Sequence, residues 1–336
     1  VRTVVLQRPG ELAWREVDEP IAAPGEARVQ VLRCGVCGTD THALVGRQPF
    51  FSYPRRLGHE LCVRVLSVAP NDRVAPGDLC AVEPYYFCGR CRACRIGRTN
   101  CCSELKVLGV HVDGGHAPRL AVPIDKLHRS SRLSADELAM IEPLAIGAHG
   151  VERAGTSRSD CVAVIGLGPI GLAALLAARA AGANCVGVDL QPARVEFARR
   201  MGFATLSSAG NLVDELRRSF GQRPDVVFDA TGNADSMRAS FDLPEHGGRL
   251  VFLGLFAGSV SFDDPSFHRR ELTLLASRAA LSSTFADVIR LVEEKAIDAR
   301  SLVTHRLPFD ALVDRLPTLS REDGIVKAII DFHEHA

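Results

Sequence analysis

Five apolar residues, Cys161-Val162-Ala163-Val164-Ile165, run directly into Gly166-Leu167-Gly168-Pro169-Ile170-Gly171. An unbroken apolar run of that length suits a strand buried on both faces of a parallel sheet. A helix from about Pro169 to Ala181 is expected next, then a strand over Cys185–Val188 that ends on Asp189, 18 residues beyond Gly171. Glycines alone are a weak signal. Set between strand and helix, with an acid at that distance, they form the dinucleotide fingerprint. Gly166 allows the tight turn, Gly168 lets the backbone approach a pyrophosphate, and Gly171 lets the helix lie close. The helix start, Pro169 and Ile170 included, then faces the negative charge. Asp189 would accept hydrogen bonds from ribose hydroxyls and repel a 2′-phosphate, so NAD is expected over NADP, a preference that nearby Arg194 moderates. Val226–Ala230 and Leu250–Leu253 read as further buried strands, ended by Thr231-Gly232 and Gly254. Ligands of an open α/β sheet lie at such carboxyl ends, which adds Thr231 and Gly254 to the cofactor set.

The chain before Cys161 has another texture. Val29-Gln30-Val31-Leu32 alternates, Cys62–Val68 and Leu79–Val82 are short β-rich runs, and Pro76-Gly77-Asp78 is a turn between them. Leu120–Pro123 is a further strand, and Ser134 with Glu137 forms a capping box that opens a helix. After about Ser282, an amphipathic helix over Ala286–Lys295, a segment Val303–Leu307 and a closing strand Val326–Ile330 are expected to return to the first domain. At 336 residues two cores are the natural expectation. The reading is therefore an α/β chain: a β-rich domain over 1–148 with 283–336, and a doubly wound parallel-sheet nucleotide domain inserted at 149–282.

Eleven cysteines, an odd number, occur in a chain whose N-terminal apolar run Val4-Val5-Leu6 is too short for a signal sequence. Thiols and metal are favoured over disulfides, and a cytoplasmic location is expected. Cys88, Cys91, Cys94 and Cys102 follow a Cys-x2-Cys-x2-Cys-x7-Cys spacing, with Gly89 and Gly97 easing the turns. Four thiolates so spaced make a closed tetrahedral zinc site, a structural lobe over 86–103. Cys101 is assigned as a bystander, and Cys34, Cys62, Cys80, Cys161 and Cys185 as small core residues. Lys plus Arg equals Asp plus Glu at 40 each, so no basic field exists to hold nucleic acid. No stretch approaches the roughly twenty apolar residues of a membrane span.

A second donor set lies in Cys37-Gly38-Thr39-Asp40-Thr41-His42, Gly58-His59-Glu60 and Glu142. Taken in isolation, Cys37 reads as a small buried hydrophobe and His59 as a core histidine. In a chain that also carries a nucleotide fingerprint, one thiolate, one imidazole and a carboxylate suit a zinc that keeps a fourth position open for chemistry. Two zinc ions per chain and NAD are thus the expected cofactors, with a small molecule as substrate.

With these residues in place, the chain resembles the zinc-dependent medium-chain alcohol and polyol dehydrogenases over essentially its whole length. The motifs occur in the family's order. More narrowly, Gln48–Pro54, Asn100-Cys101-Cys102, Val107–His111 and Leu253–Phe256 look like bacterial L-galactonate or L-gulonate 5-dehydrogenases. The resemblance implies a GroES-like catalytic domain beside a Rossmann-type domain, and a homo-oligomer, dimer or tetramer. It makes Cys37 and His59 zinc ligands, with either Glu60 or Glu142 as the direct carboxylate. It gives Asp40 a hydrogen bond to His59, makes Thr39 the acceptor of the substrate's hydroxyl proton and His42 its exit, and matches Arg278 to a polar position near substrate and nicotinamide. Two departures stand out. His116-Ala117-Pro118-Arg119 follows Gly114-Gly115 where the family usually has an aromatic, a small residue, an acid and a Tyr, and Leu61-Cys62-Val63-Arg64 follows Glu60 where small residues and an acid are usual. The reaction implied is zinc-assisted hydride transfer from a secondary alcohol of a sugar acid or polyol to NAD. The alternatives are a sorbitol- or threonine-type dehydrogenase, and a non-catalytic zinc- or nucleotide-binding protein.

Overall fold

The computed structural model of the chain describes residues 1–332 except 208, 209, 320 and 323. Two compact units are present, one formed by Val1–Glu142 with Leu281–Ala336 and the other by Pro143–Ala280. Residues 333–336, the end of the segment expected in the first domain, lie outside the described residues.

The first unit begins with the hairpin β1 (Arg2–Arg8) and β2 (Glu11–Glu16). β3 (Glu26–Gly35) leads into helix α1 (Gly38–Leu44) and pairs antiparallel with β4 (Glu60–Val68), which pairs with β5 (Leu79–Val82). The cysteine-rich stretch is held between two short strands, β6 (Tyr85–Tyr86) and β7 (Lys106–Val107), with the one-turn helix α2 (Arg92–Arg95) inside it. β8 (Arg119–Pro123) pairs with β3, and β9 (Leu127–Arg129) with β5. Alternation along β3 turns Val29 and Val31 into a core shared with Val63 and Val65 of β4 and Leu120 and Val122 of β8. Each such side chain contributes about 1.5–3 kcal/mol when fully buried. The capping box forms as expected at α3 (Ala135–Ala139): Ser134 N donates to Glu137 Oε2 at 2.8 Å and Glu137 N donates back to Ser134 Oγ at 3.4 Å.

Helix α4 (Ile141–Ala154) leads into the second unit. There β10 (Cys161–Ile165), α5 (Pro169–Ala180), β11 (Asn184–Asp189), α6 (Pro192–Arg200), β12 (Ala204–Ser207), α7 (Leu212–Phe220), β13 (Val226–Asp229), α8 (Ala234–Ala239), β14 (Arg249–Phe252), α9 (Asp264–Arg269) and β15 (Thr273–Ala276) alternate. The six strands are parallel in the order β12-β11-β10-β13-β14-β15. This is the doubly wound order whose direction reverses beside the first strand, so a crevice opens at the carboxyl ends of β10 and β13. The apolar run Val162–Ile165 is buried throughout, as a central parallel strand must be.

The chain then returns to the first unit through α10 (Ser282–Glu293), β16 (Val303–Pro308), α11 (Leu312–Leu319) and β17 (Lys327–Asp331). β17 pairs antiparallel with β3 and parallel with β16, giving a sheet ordered β16-β17-β3-β4-β5-β9 with β8 beside β3. α10 starts a turn earlier than its amphipathic pattern indicates. Ser282 Oγ donates to Glu83 Oε2 at 2.5 Å, and Phe285 stacks on His128, so long-range contacts extend the helix beyond its periodic stretch. No helix among the described residues is long and apolar enough to cross a membrane.

Candidate metal centres and nucleotide cleft

The four cysteines of the lobe converge. Ligand atoms of Cys88, Cys91, Cys94 and Cys102 all lie within 4.8 Å of one another, and the four are free thiols. Cys91 Sγ is 3.5 Å from Cys94 Sγ, while Cys88 N and Glu104 N donate to Cys102 Sγ, each at 3.3 Å, and Cys91 N donates to Cys88 Sγ at 3.4 Å. Backbone N–H groups directed at sulfur stabilise thiolates, and those of Cys94 and Ser103 pull the Cys91 thiol down to about 6. Converging sulfurs of this kind fit a tetrahedral zinc. Cys101 is exposed and lies outside the group. Cys34, Cys62 and Cys80 are buried, whereas Cys161 and Cys185 are only partly so, because they lie at the N-terminal ends of the interior strands β10 and β11.

The second donor set is assembled by a helix start and a strand start. Cys37 is the N-cap of α1, and Asp40 at its third position accepts from Cys37 N at 2.9 Å. Gly58, at φ +94°, turns the chain so that His59 and Glu60 enter β4; a Cβ there would lie 2.7 Å from the His116 ring. Gly35 leaves room for the Glu60 carboxylate, whose Oε2 would be 2.0 Å from a Cβ at that position. Ligand atoms of Cys37, His59 and Glu60 come within 4.8 Å of one another. Glu142, in the first turn of α4, stands outside this close group and accepts a hydrogen bond from the Tyr85 hydroxyl. Asp40 Oδ1 is 3.9 Å from His59 Nδ1, an ion-pair distance rather than the expected hydrogen bond, while its Oδ2 accepts from the cap of α1. Thr39 is half-buried and His42 exposed on the same helix.

Burial favours neutral groups, and here it meets a concentration of acids. It pulls the His59 imidazole down, yet Cys37, Asp40 and Glu142 outweigh it and hold His59 well above its ordinary value. Burial pushes Glu142 and Asp40 up. A soft sulfur, an imidazole and one buried carboxylate around one point fit a divalent zinc with an open position.

Lys327 was not foreseen. Its buried ammonium donates to Glu60 Oε1 and Oε2 at 2.6 and 2.7 Å and to Val36 O at 3.2 Å. Burial opposes the charge, but Glu60 and Cys37 hold Lys327 above its ordinary value. The only sequence signal was a lone lysine at the head of an apolar closing strand. Tyr85 carried none.

In the second unit, a cleft of about 830 Å³ opens at the carboxyl ends of β10, β11 and β13, lined by Gly166, Gly168, Asp189, Arg194 and Thr231 among others. Gly166 is at φ +91°, and a Cβ on Gly171 would lie 1.8 Å from Gly166 O, so both positions require glycine. A Cβ on Gly168 would meet no protein atom within 4 Å; it would project into space the cleft leaves for a ligand. Pro169 and Ile170 form the first turn of α5. Asp189 accepts from Leu167 N at 2.7 Å and Gln191 N at 2.8 Å, which fixes the glycine turn against β11, and Arg194 is 3.7 Å away. Thr231 donates to the buried Asp229, as do Ser236 and Ser240. Gly254 closes on Gly232, where a Cβ would lie 2.2 Å from Gly232 N. Arg278 follows β15 in this unit.

Residues 23–132 match the family described as Alcohol dehydrogenase GroES-like domain, and residues 169–294 the one described as Zinc-binding dehydrogenase. The chain belongs to the zinc-dependent medium-chain alcohol and polyol dehydrogenases and is an NAD-dependent zinc oxidoreductase of that family. Among its relatives is L-galactonate-5-dehydrogenase of Escherichia coli (strain K12), 42% identical over 337 residues that cover 99% of each chain. Among solved structures, a putative zinc-binding dehydrogenase from Sinorhizobium meliloti 1021 bound to NADP is 32% identical, with a TM-score of 0.92 over 98% of this chain and 99% of that one. An alcohol dehydrogenase (rspB) from E. coli CFT073 complexed with NADH is 27% identical, with a TM-score of 0.92 over 98% of this chain and 99% of that one.

Proposed function

We propose that the protein oxidises a secondary alcohol of a sugar acid of the L-galactonate or L-gulonate type, with NAD as acceptor. The observation that carries this reading is the 42% identity, over 99% of both chains, to an L-galactonate-5-dehydrogenase. It is supported by the convergence of Cys37, His59 and Glu60.

Cys37, His59 and Glu60 would hold the catalytic zinc directly, and Glu142, kept in place by Tyr85, would act on it through water. When bound, zinc supplies Lewis acidity that lowers the pKa of the substrate hydroxyl. Thr39 takes the hydroxyl proton, and exposed His42 hands it to solvent. Asp40, anchored to the cap of α1, keeps negative charge beside the His59 ring. Lys327 neutralises Glu60, so the carboxylate need not be buried unpaired. The glycine turn binds the pyrophosphate through Gly166, Gly168, Pro169, Ile170 and Gly171. Asp189 and Arg194 hold the adenosine ribose, Thr231 and Gly254 border the dinucleotide, and Arg278 orients substrate. Cys88, Cys91, Cys94 and Cys102 hold the second zinc. In balance, the alcohol and NAD⁺ give the ketone, NADH and one proton.

The test compares kcat/KM for L-galactonate and L-gulonate with that for sorbitol and threonine, using NAD, on protein whose zinc has been counted. About two zincs per chain and at least tenfold preference for a sugar acid are expected. A tenfold preference for the neutral polyol would overturn the substrate, and one zinc per chain would overturn the site assignment.

A further inference from the structure

The second unit carries a basic pocket of about 300 Å³, lined by Arg217, Arg223, Arg269, Arg270, Asp242 and Glu245 among others. It lies where the chain enters β13, β14 and β15, at the sheet end opposite the nucleotide cleft; Asp242 alone of these six borders both. Arg270 is buried and donates to Phe241 O at 2.7 Å, Pro244 O at 3.2 Å and Ser266 Oγ at 3.1 Å. Arg223 Nη1 donates to Asp242 O. Two guanidiniums are thus fixed by neutral acceptors, which orient them without cancelling their charge.

The carboxylates nearby offset only part of the charge in the pocket. Asp242 is 3.6 Å from Arg270, with its side chain 71% exposed, and Glu245 Oε1 accepts from His246 N at 2.9 Å. Arg217 pairs at 3.7 Å with Asp214, on the exposed face of α7. Among the described residues neither Arg223 nor Arg269 forms an ion pair with a carboxylate, and Arg223 Nε is buried without a partner. Four guanidiniums stand against two lining carboxylates and the Asp214 that pairs with Arg217, so the pocket keeps a net positive charge. Burial first, then the neighbouring Arg223 and Arg269, pull Arg270 below its ordinary value, against the opposing pull of Asp242 and Glu245.

We infer that this pocket is a binding site for a phosphate group, either free inorganic phosphate or the phosphate of a small metabolite. An anion with several oxygens can meet more than one of these guanidiniums at once. Planar guanidinium forks match the oxygens of phosphate, and the cavity is at the small end of the range for small-molecule sites.

The experiment uses the zinc-loaded full chain with saturating NAD, so that the pyrophosphate site in the nucleotide cleft is filled. Inorganic phosphate and glycerol 3-phosphate are titrated by calorimetry and by thermal shift, against sodium chloride of equal ionic strength. Binding with a dissociation constant of about 1 mM or tighter is expected, weakened at least tenfold in Arg223→Gln and Arg269→Gln. Tighter binding of glycerol 3-phosphate assigns the site to a phosphorylated metabolite, and equal binding to inorganic phosphate. Arg269 is exposed at the end of α9, so Arg269→Gln carries the test even if Arg223→Gln fails to fold. No response beyond that to chloride, or binding unchanged in Arg269→Gln, overturns the inference.

Discussion

His116 stands where the family usually has an aromatic, and its environment makes it an acid-labile point in the first unit. It is fully buried against Gly58, and both ring nitrogens lack a partner among the described residues. Burial, with His59 and Arg56 adding to it, lowers its pKa from 6.5 to about 3. In the unfolded chain the imidazole takes up a proton below its ordinary pKa; in the folded chain it stays neutral until about pH 3. Stability from this group is therefore fully present above pH ~6.5 and is lost as pH falls toward 3, because the unfolded state binds the extra proton. Each unit of separation is worth about 1.4 kcal/mol, so the full window amounts to roughly 4–5 kcal/mol and the interval from pH 7.5 to 5.0 to about 2 kcal/mol. His116→Phe removes the titrating group. Urea unfolding of both proteins at pH 7.5 and 5.0 should show the parent losing about 2 kcal/mol more than the variant. The comparison at a single pH is less informative, because relief of two orphaned nitrogens, about 1–3 kcal/mol, is set against extra ring volume beside Gly58 and Cys34. Equal losses in the two proteins would refute the reasoning.

Cys88→Ser should lose one zinc per chain by elemental analysis and lower the thermal midpoint, since the lobe has little core of its own. Asp189→Gly should raise the KM for NAD and improve relative use of NADP; because Asp189 also holds Leu167 N, part of the loss should appear with both cofactors. Cys37→Ser should release the catalytic zinc and abolish turnover while NAD still binds, whereas Thr39→Val should keep zinc and cut kcat by roughly a hundredfold or more, as steady-state kinetics with metal counts would show. Lys327→Met leaves Glu60 buried without its cation and should cost about 3–5 kcal/mol in chelator-treated protein. Readdition of zinc should recover part of that loss, which denaturant midpoints with and without the metal would measure.

Local chemistry made much of this protein legible in its residues. The strand, glycine turn, helix and acid of Cys161–Asp189 appear in the structure because each step is specified within a few positions: an apolar run that buries, a left-handed turn at Gly166, a Pro at the helix start. The lobe is equally local, since its four thiols lie within fifteen residues of one another. Periodicity served less well where distant side chains extend an element, as Ser282 and Phe285 do at the start of α10.

The sequence by itself determined the order of elements, the donor types and the glycines that a nucleotide turn requires, because these depend on spacing along one stretch of chain. Only the tertiary structure decided how charge is balanced around those donors. Lys327 reaches Glu60 across 267 positions because β17 lies beside β3 and β3 beside β4, a pairing that no local pattern encodes. The fold also brings Tyr85 of β6 to Glu142 of α4, and Ser282 at the start of α10 to Glu83 just after β5. In the second unit, the entry turns of three strands gather arginines that are scattered in the sequence into one pocket. Electrostatic energies fall off with distance in space rather than along the chain, so the partners of a buried charge become visible only once the fold has placed them.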